Sequence, residues 1–119
     1  MIDLAEIKDL SLNGFSQEMI LAKFKEQLVK DFSMCRIDLE FPESDELKAS
    51  DYLNSIKNGL KHLDNSTFME LLYRIDLPEA RLSKEIRENI EQERDEIVAI
   101  LIFKRILQKV VLKLSYSTK

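Results

Sequence analysis

Glycine and proline are scarce in this chain of 119 residues, with only two of each. Gly14, Gly59, Pro42 and Pro78 are too few to supply the tight turns of an all-β sandwich or the Gly-rich loop of a nucleotide site. The length is within the usual range of one domain, and the content of 45% apolar and 34% charged residues is typical of a globular protein. We therefore predict an all-α fold, organised as a single helical domain over residues 1–119.

Cysteine and histidine occur once each, as Cys35 and His62. A lone cysteine allows neither an intrachain disulfide nor a Cys-based zinc site, and one histidine gives no pair of imidazoles for a metal. The hydroxyls nearest to His62, those of Ser66 and Thr67, are better explained by helix capping than by a hydrolase triad. We expect no enzymatic activity, no metal and no cofactor.

Long apolar runs and a secretory leader are also lacking. The longest apolar run has seven members, residues 97–103, whereas a bilayer-spanning helix needs about 20. The first ten residues, MIDLAEIKDL, lack the pattern of a signal peptide. We expect a cytoplasmic protein without integral membrane association. Its pI near 5.1 argues against nucleic-acid binding.

Apolar residues recur at helical spacing in four segments, which predict helices over 16–35, 44–63, 67–75 and 77–116. Capping residues support their starts: Ser16, Ser44, Thr67 with Glu70, and Asp76 with Glu79. Residues 1–14 are expected to form an N-terminal arm. Residues 37–41 alternate like a half-buried strand, but no second strand is evident, so we interpret them as a short extended linker. The predicted architecture is a bundle of about four main helices.

The last predicted helix, 77–116, is long for a domain of this size, at roughly 57 Å if it is continuous. It either breaks, for example near Ser83, or extends beyond the bundle to a partner. Its first half is mostly charged, and its apolar positions fail after about one heptad, so no coiled coil is predicted. We interpret its acidic residues as a solvated face: Glu85, Glu88, Glu91, Glu93, Asp95 and Glu96.

The second half of that helix, residues 97–114, reads IVAILIFKRILQKVVLKL and contains no acidic residue. Its apolar positions cover more than one face, so we expect a central helix; its β-branched residues make a strand conceivable, but the lack of turn residues favours a helix. The formal charges of segments 1–37, 38–96 and 97–119 are −1, −8 and +5. An acidic middle and a basic tail can attract each other within one chain or between two copies.

The function that we expect is protein–protein interaction or assembly, as a homodimer that shares the C-terminal helix. The residues predicted to carry it are Ile100, Phe103, Lys104, Leu107, Val111 and Leu114. The same basic and apolar pattern also fits the rim of a core or, less well without Trp, a helix lying on an anionic membrane. An alternative function is the binding of an apolar small ligand between the helices, in a pocket lined by Met19, Met34, Met69 and several Phe. A catalytic role is least favoured.

Overall fold

The computed structural model describes residues 17–44 and 47–117, with side chains over 19–44 and 47–114. This part of the chain contains no strand and five helices, which are α1 (Gln17–Met34), α2 (Ala49–Leu60), α3 (Asn65–Ile75), α4 (Glu79–Glu88) and α5 (Arg94–Ser117). The predicted all-α bundle with a long C-terminal helix is confirmed, with five helices in place of about four. The predicted arm at 1–14 and the cap at Ser16 lie outside the described residues.

Helix α1 forms where the sequence predicts it, because one apolar side chain falls on the same face in every turn. Ile20, Phe24, Leu28 and Phe32 are all buried. The helix ends in a Schellman arrangement: Arg36 takes a left-handed φ of 63°, and the N–H of Ile37 donates to the Phe32 carbonyl at 2.9 Å. This end reverses the chain and sends it back across the bundle.

The predicted extended linker is confirmed, since residues 37–42 have no regular secondary structure and cross the face of α2. The Ser55 hydroxyl of α2 donates to the Glu40 carbonyl at 2.5 Å. Gly59 allows a close approach, because a Cβ at this position would lie 2.8 Å from Leu39 Cδ2. The linker is therefore held against α2 by a partly buried hydrogen bond and by a close approach that the absence of a side chain at residue 59 allows.

Helix α2 is shorter than the predicted range of 44–63. It begins after Lys48, whose backbone N–H donates to the Asp51 carboxylate at 2.7 Å. It ends at Leu60, and His62 then takes a left-handed φ of 68°. The helix thus starts five residues later than predicted, with Asp51 accepting the free backbone N–H ahead of its first turn. The predicted cap, Ser44, lies too far ahead of this start to cap the helix.

Helix α3 is capped by Asp64, not by the predicted Thr67. The Asp64 carboxylate accepts the Thr67 backbone N–H at 2.7 Å, so Thr67 lies in the first turn as a donor. The helix starts at Asn65, two residues before the predicted start. A charged acceptor three residues ahead of Thr67 competes successfully for the free amides of the first turn.

Residues 77–116, the last predicted helix, form two helices, so of the two outcomes that its length left open the structure has the break. The chain leaves helical geometry over residues 89–93, not near Ser83, and α4 then lies back along the first half of α5. Asn89 ends α4: its Nδ2 donates to the Glu85 carbonyl at 2.8 Å, and its backbone N–H donates to the same oxygen at 3.1 Å. The bend allows Leu82 to be buried in the core, a tertiary gain that no local pattern reports.

The predicted capping box of Asp76 and Glu79 is not formed either. Asp76 ends α3 with a left-handed φ of 60°, and the Leu77 N–H donates to the Leu72 carbonyl at 2.9 Å. Pro78 then occupies the position before α4. Asp76 is used to end one helix and is not available to begin the next.

Helix α5 is the centre of the bundle and packs against the other four helices. Val98, Ile102 and Ile106 are at most 1% exposed. The Phe103 ring lies 4.5 Å from that of Phe24, measured between centroids. In the described part of the chain, no helix has the length and apolar character needed to cross a membrane.

Candidate interaction site

The six residues that the sequence predicts for interaction do not form one exposed face. Phe103, Leu107 and Leu114 are buried in the chain's own core, at 0%, 5% and 7% exposure. Ile100, Lys104 and Val111 are half-buried. In this conformation, a partner of α5 can reach only the second three.

Other residues considered from the sequence lie apart from one another. Cys35 is buried at the end of α1, whereas His62 is exposed after the end of α2. Met19 and Met34 are exposed, and Met69 is half-buried. Among the described residues, no group of three or more His, Cys, Asp or Glu side chains is arranged to hold a metal ion.

The most unusual polar feature of the bundle is Asp31, a carboxylate that is only 1% exposed on the inner side of α1. Its Oδ2 accepts a hydrogen bond from Lys109 Nζ at 2.8 Å, and its Oδ1 accepts one from Gln27 Nε2 at 3.0 Å. Lys113 Nζ in turn donates to Gln27 Oε1 at 2.6 Å. We call Gln27, Asp31, Arg74, Lys109 and Lys113 the Asp31 cluster.

Helix geometry explains how these side chains meet. Gln27 and Asp31 are four residues apart on α1, and Lys109 and Lys113 are four residues apart on α5, so each pair shares one helix face. Because Gln27 meets Lys113 and Asp31 meets Lys109, the two helices run antiparallel here. The cluster joins the end of α1 to the second half of α5.

Arg74 of α3 completes the cluster without a hydrogen bond from its Nε. This atom is buried and lies 3.6 Å from Asp31 Oδ1, and it has no hydrogen-bond acceptor in the described structure. A buried donor without an acceptor is uncommon in folded proteins. Burial raises the pKa of the neighbouring Cys35 thiol, with a further contribution from the negative charge of Glu70.

A groove opens outward from the Asp31 cluster. One cavity of about 520 Å³ lies between α1, α3 and α5, and a second of about 310 Å³ lies between α1 and α5. The two cavities share Gln27, Lys30 and Lys113 in their linings. We call the combined surface the basic groove, because it is lined by Lys23, Lys30, Arg74, Lys109 and Lys113 against only three carboxylates, those of Glu26, Asp31 and Glu70.

The charges of the basic groove are partly fixed by the fold. Its formal charge is +2, from five cations and three carboxylates, although the whole chain carries −4. Asp31 is occupied by Lys109, and Lys23 lies 3.6 Å from Glu26. Tyr73 stands at the edge of the groove and is 90% exposed. The groove thus offers cationic groups beside an exposed aromatic ring.

Two smaller cavities differ from the basic groove in position and character. One of about 210 Å³ lies where α2, α3 and α5 meet, beside Arg94. The other, of about 120 Å³, lies between α4 and α5 and includes Asn89 and Lys104. No methionine lines any of these four cavities, whereas Phe68 lines the one of about 210 Å³.

Sequence reasoning missed the Asp31 cluster, although two signals pointed to it. Gln27 and Asp31 fall on the same side of α1 as Phe24 and Leu28, so helical periodicity places a carboxylate on the inner face. Residues 97–114 of the C-terminal helix also contain basic but no acidic residues. Only the antiparallel packing of α1 on α5 shows that the buried carboxylate pairs with a lysine of this basic segment.

Comparisons with known proteins give this chain no family: no family model matches it, and neither a curated protein nor a solved structure is significantly similar.

Proposed function

We propose that the chain is a protein-interaction module that binds an acidic segment of a partner protein along the basic groove. The observation that carries the proposal is the groove itself, a continuous surface with a formal charge of +2 on a chain with a net charge of −4. A local charge opposite to that of the whole molecule favours an acidic ligand at this one surface.

The cations of the groove are held in place before a partner arrives. The Lys109 ammonium is fixed by Asp31 and the Lys113 ammonium by Gln27. Side chains that are already ordered lose less conformational entropy on binding, so they contribute more to affinity than free surface lysines do. The Arg74 side chain is 33% exposed beside them, so its guanidinium adds a further cation that a carboxylate of the partner can approach.

Tyr73 supports a protein partner rather than a polyanion. Tyrosine is enriched among the residues that dominate protein–protein binding energies, and this ring is 90% exposed beside the cations. A nucleic acid would meet Glu26 and Glu70 in the same groove, and its repeating phosphates favour uniformly basic surfaces. An acidic peptide with an apolar side chain for Tyr73 matches both features.

A titration with a defined probe tests the proposal. The probe is a fluorescein-labelled peptide of eight glutamates that carries a central leucine, and its binding is followed by fluorescence anisotropy at low salt. The test variant is Lys30→Glu with Lys113→Glu, and the matched control is Lys61→Glu with Lys84→Glu, which makes the same charge change at exposed positions on α2's end and α4. We expect the groove variant to weaken binding about tenfold or more and the control to change it less than about threefold.

Two outcomes would overturn the proposal. Equal losses in both variants would mean that only the net charge matters, and tighter binding of a single-stranded oligonucleotide or of anionic vesicles than of the peptide would mean a different partner. Amide chemical-shift changes confined to α1, α3 and α5 on peptide addition are the expected structural readout.

We also propose, as a second function, that the chain forms a homodimer through its C-terminal helix, in the cytoplasm. The observation that favours self-association is that the outer side of α5 is covered by α4, a short helix with one buried side chain, that of Leu82. A contact this small could be replaced by a second copy of the chain. Light scattering after size exclusion tests the dimer, and imaging of the tagged protein in its own cells tests the location. The proposal assigns the chain no catalytic role.

A further inference from the structure

The junction between α4 and α5 lacks the residues that normally force a helix to end. From Glu79 to Ser117 the chain contains neither glycine nor proline. The left-handed residues of the described structure other than glycine are Arg36, His62 and Asp76, and none lies in the junction. Residues 89–93 therefore adopt a bend that no local backbone constraint requires.

The bend is held by few contacts. Asn89 caps α4 through the Glu85 carbonyl, and the Gln92 N–H donates to the Asn89 carbonyl at 2.9 Å. Beyond the junction, α4 is attached to the rest of the bundle by Leu82, which is buried, and by Ile86, which is half-buried. These apolar contacts are tertiary, so another copy of α5 could supply them equally well.

Ile90 is the feature that the monomer leaves unexplained. This side chain is 84% exposed at the centre of the junction, where a polar residue would serve the turn better. If residues 89–93 became helical in two chains that exchange α5, their junctions would cross near the two-fold axis. The two Ile90 side chains would then face each other and leave water.

We propose that the chain dimerises by exchanging α5: residues 89–93 straighten, α4 and α5 become one helix, and α5 of each copy packs into α1–α4 of the other. The contacts of α5 in the bundle are re-formed between the copies, so the exchange changes only the junction. Each Asp31 then pairs with Lys109 of the other copy, and each basic groove is built from two chains. This inference depends on the proposed homodimer but not on the binding of an acidic partner.

Two opposed junction variants set the direction of the equilibrium. Asn89→Ala removes the cap of α4 and introduces the best helix former, which strengthens the dimer by about tenfold over the two chains. Ile90→Gly with Glu91→Gly disfavours a straight junction. Because each glycine lowers helix formation by about two- to threefold relative to Ile or Glu, four glycines per dimer weaken the dimer by about 10- to 10²-fold. Both changes lie at exposed or half-buried positions of the bent form, and circular dichroism checks that each variant folds.

The closing experiment measures oligomeric state and the distance within one chain together. Light scattering after size exclusion follows dimer formation over a concentration series, after refolding at high concentration. Spin labels at Ala80→Cys and Gln108→Cys, in a Cys35→Ala background diluted with unlabelled protein, report the intrachain distance by electron–electron double resonance. A straight helix separates these positions by about 42 Å, whereas the bent form keeps them much closer, because Arg81 and Lys104 line the same cavity.

We expect a dimer with the long distance, strengthened by Asn89→Ala and weakened by the double glycine variant. A dimer with the short distance would overturn the exchange and leave the proposed homodimer standing. A monomer at every concentration, even with Asn89→Ala, would overturn both. Peptide binding at the basic groove is measured separately and is not affected by either failure.

Discussion

Loss of the ion pair between Asp31 and Lys109 should lower the stability of the protein strongly, although a single substitution is enough to remove it. The perturbation is Lys109→Met, which keeps an unbranched apolar stem up to the ε position and removes the ammonium. Asp31 is then left with a side chain only 2% exposed and without its nearest cation, which lies 2.8 Å away in the native chain. The consequence is a loss of stability, because a buried carboxylate loses the charge that compensates its desolvation.

The magnitude follows from the surroundings of the two groups. Breaking a fully buried ion pair typically costs about 3–5 kcal/mol, and breaking an exposed one costs about 0–1 kcal/mol. Lys109 is 21% exposed, and Asp31 retains its hydrogen bond from Gln27 and the Arg74 guanidinium 3.6 Å away. We therefore expect the free energy of unfolding to fall by about 2–3 kcal/mol, with a decrease in Tm of about 10 °C.

The assay is urea unfolding followed by circular dichroism at 222 nm, as a double-mutant cycle with Asp31→Asn. In the Asp31→Asn background no buried charge is left to compensate, so Lys109→Met should cost about 1.5–2.5 kcal/mol less than it does in the native background. Lys84→Met is the matched control, because Lys84 is exposed on α4 and its replacement should change stability by less than about 0.5 kcal/mol.

The reasoning is refuted by either of two results. Equal losses of stability in Lys109→Met and Lys84→Met would show that the ion pair of Asp31 and Lys109 is absent in solution. A coupling energy near zero in the cycle would show that Asp31 and Lys109 contribute to stability independently.

Three further predictions concern caps and packing. Hydrogen bonds from Thr67, in the first turn of α3, lower the pKa of Asp64 from its ordinary value of 3.8. The ionised cap therefore stabilises the native chain above that pH, and this stabilisation is lost as the pH falls below it. In urea unfolding, the stability of Asp64→Asn relative to the native chain should rise only in this acid range. Gly59→Ala gains about 1 kcal/mol of helix propensity but meets Leu39 at 2.8 Å; it should therefore be near neutral alone and stabilising by about 1 kcal/mol in Leu39→Ala. Arg105→Lys loses the Nε hydrogen bonds to the carbonyls of Ile75 and Asp76 and should lower the free energy of unfolding by about 1–2 kcal/mol, and an unchanged value would contradict that role.

Local patterns predicted the elements whose causes are local. The helical spacing from Ile20 to Phe32 depends on which residues are apolar, and it predicted α1 to within one residue at each end. The alternation over 37–41 and the missing second strand likewise predicted an extended linker. In both cases the hydrophobic period alone determines which side chains face the core.

Prediction failed where two segments compete for one residue or where a distant segment decides. Asp64 and Thr67 both have side chains suited to capping α3, and only the geometry shows that Asp64 accepts and Thr67 donates. Asp76 suits the start of α4, yet it is used at the end of α3. The bend at 89–93 follows from the burial of Leu82 by a helix that lies later in the chain, which no window of sequence contains.

Contacts within the described part of the chain compensate the charge asymmetry of the sequence only in part. Of the basic residues in α5, Arg105 binds Asp76 from the acidic middle segment, whereas Lys109 and Lys113 bind Asp31 and Gln27 of α1. Among the described residues, Lys109 and Lys113 of the basic tail are therefore directed to α1 and not to the acidic middle. Because the basic groove keeps a formal charge of +2 after these contacts, the molecule presents surfaces of both signs, and each of them favours association with a surface of opposite charge.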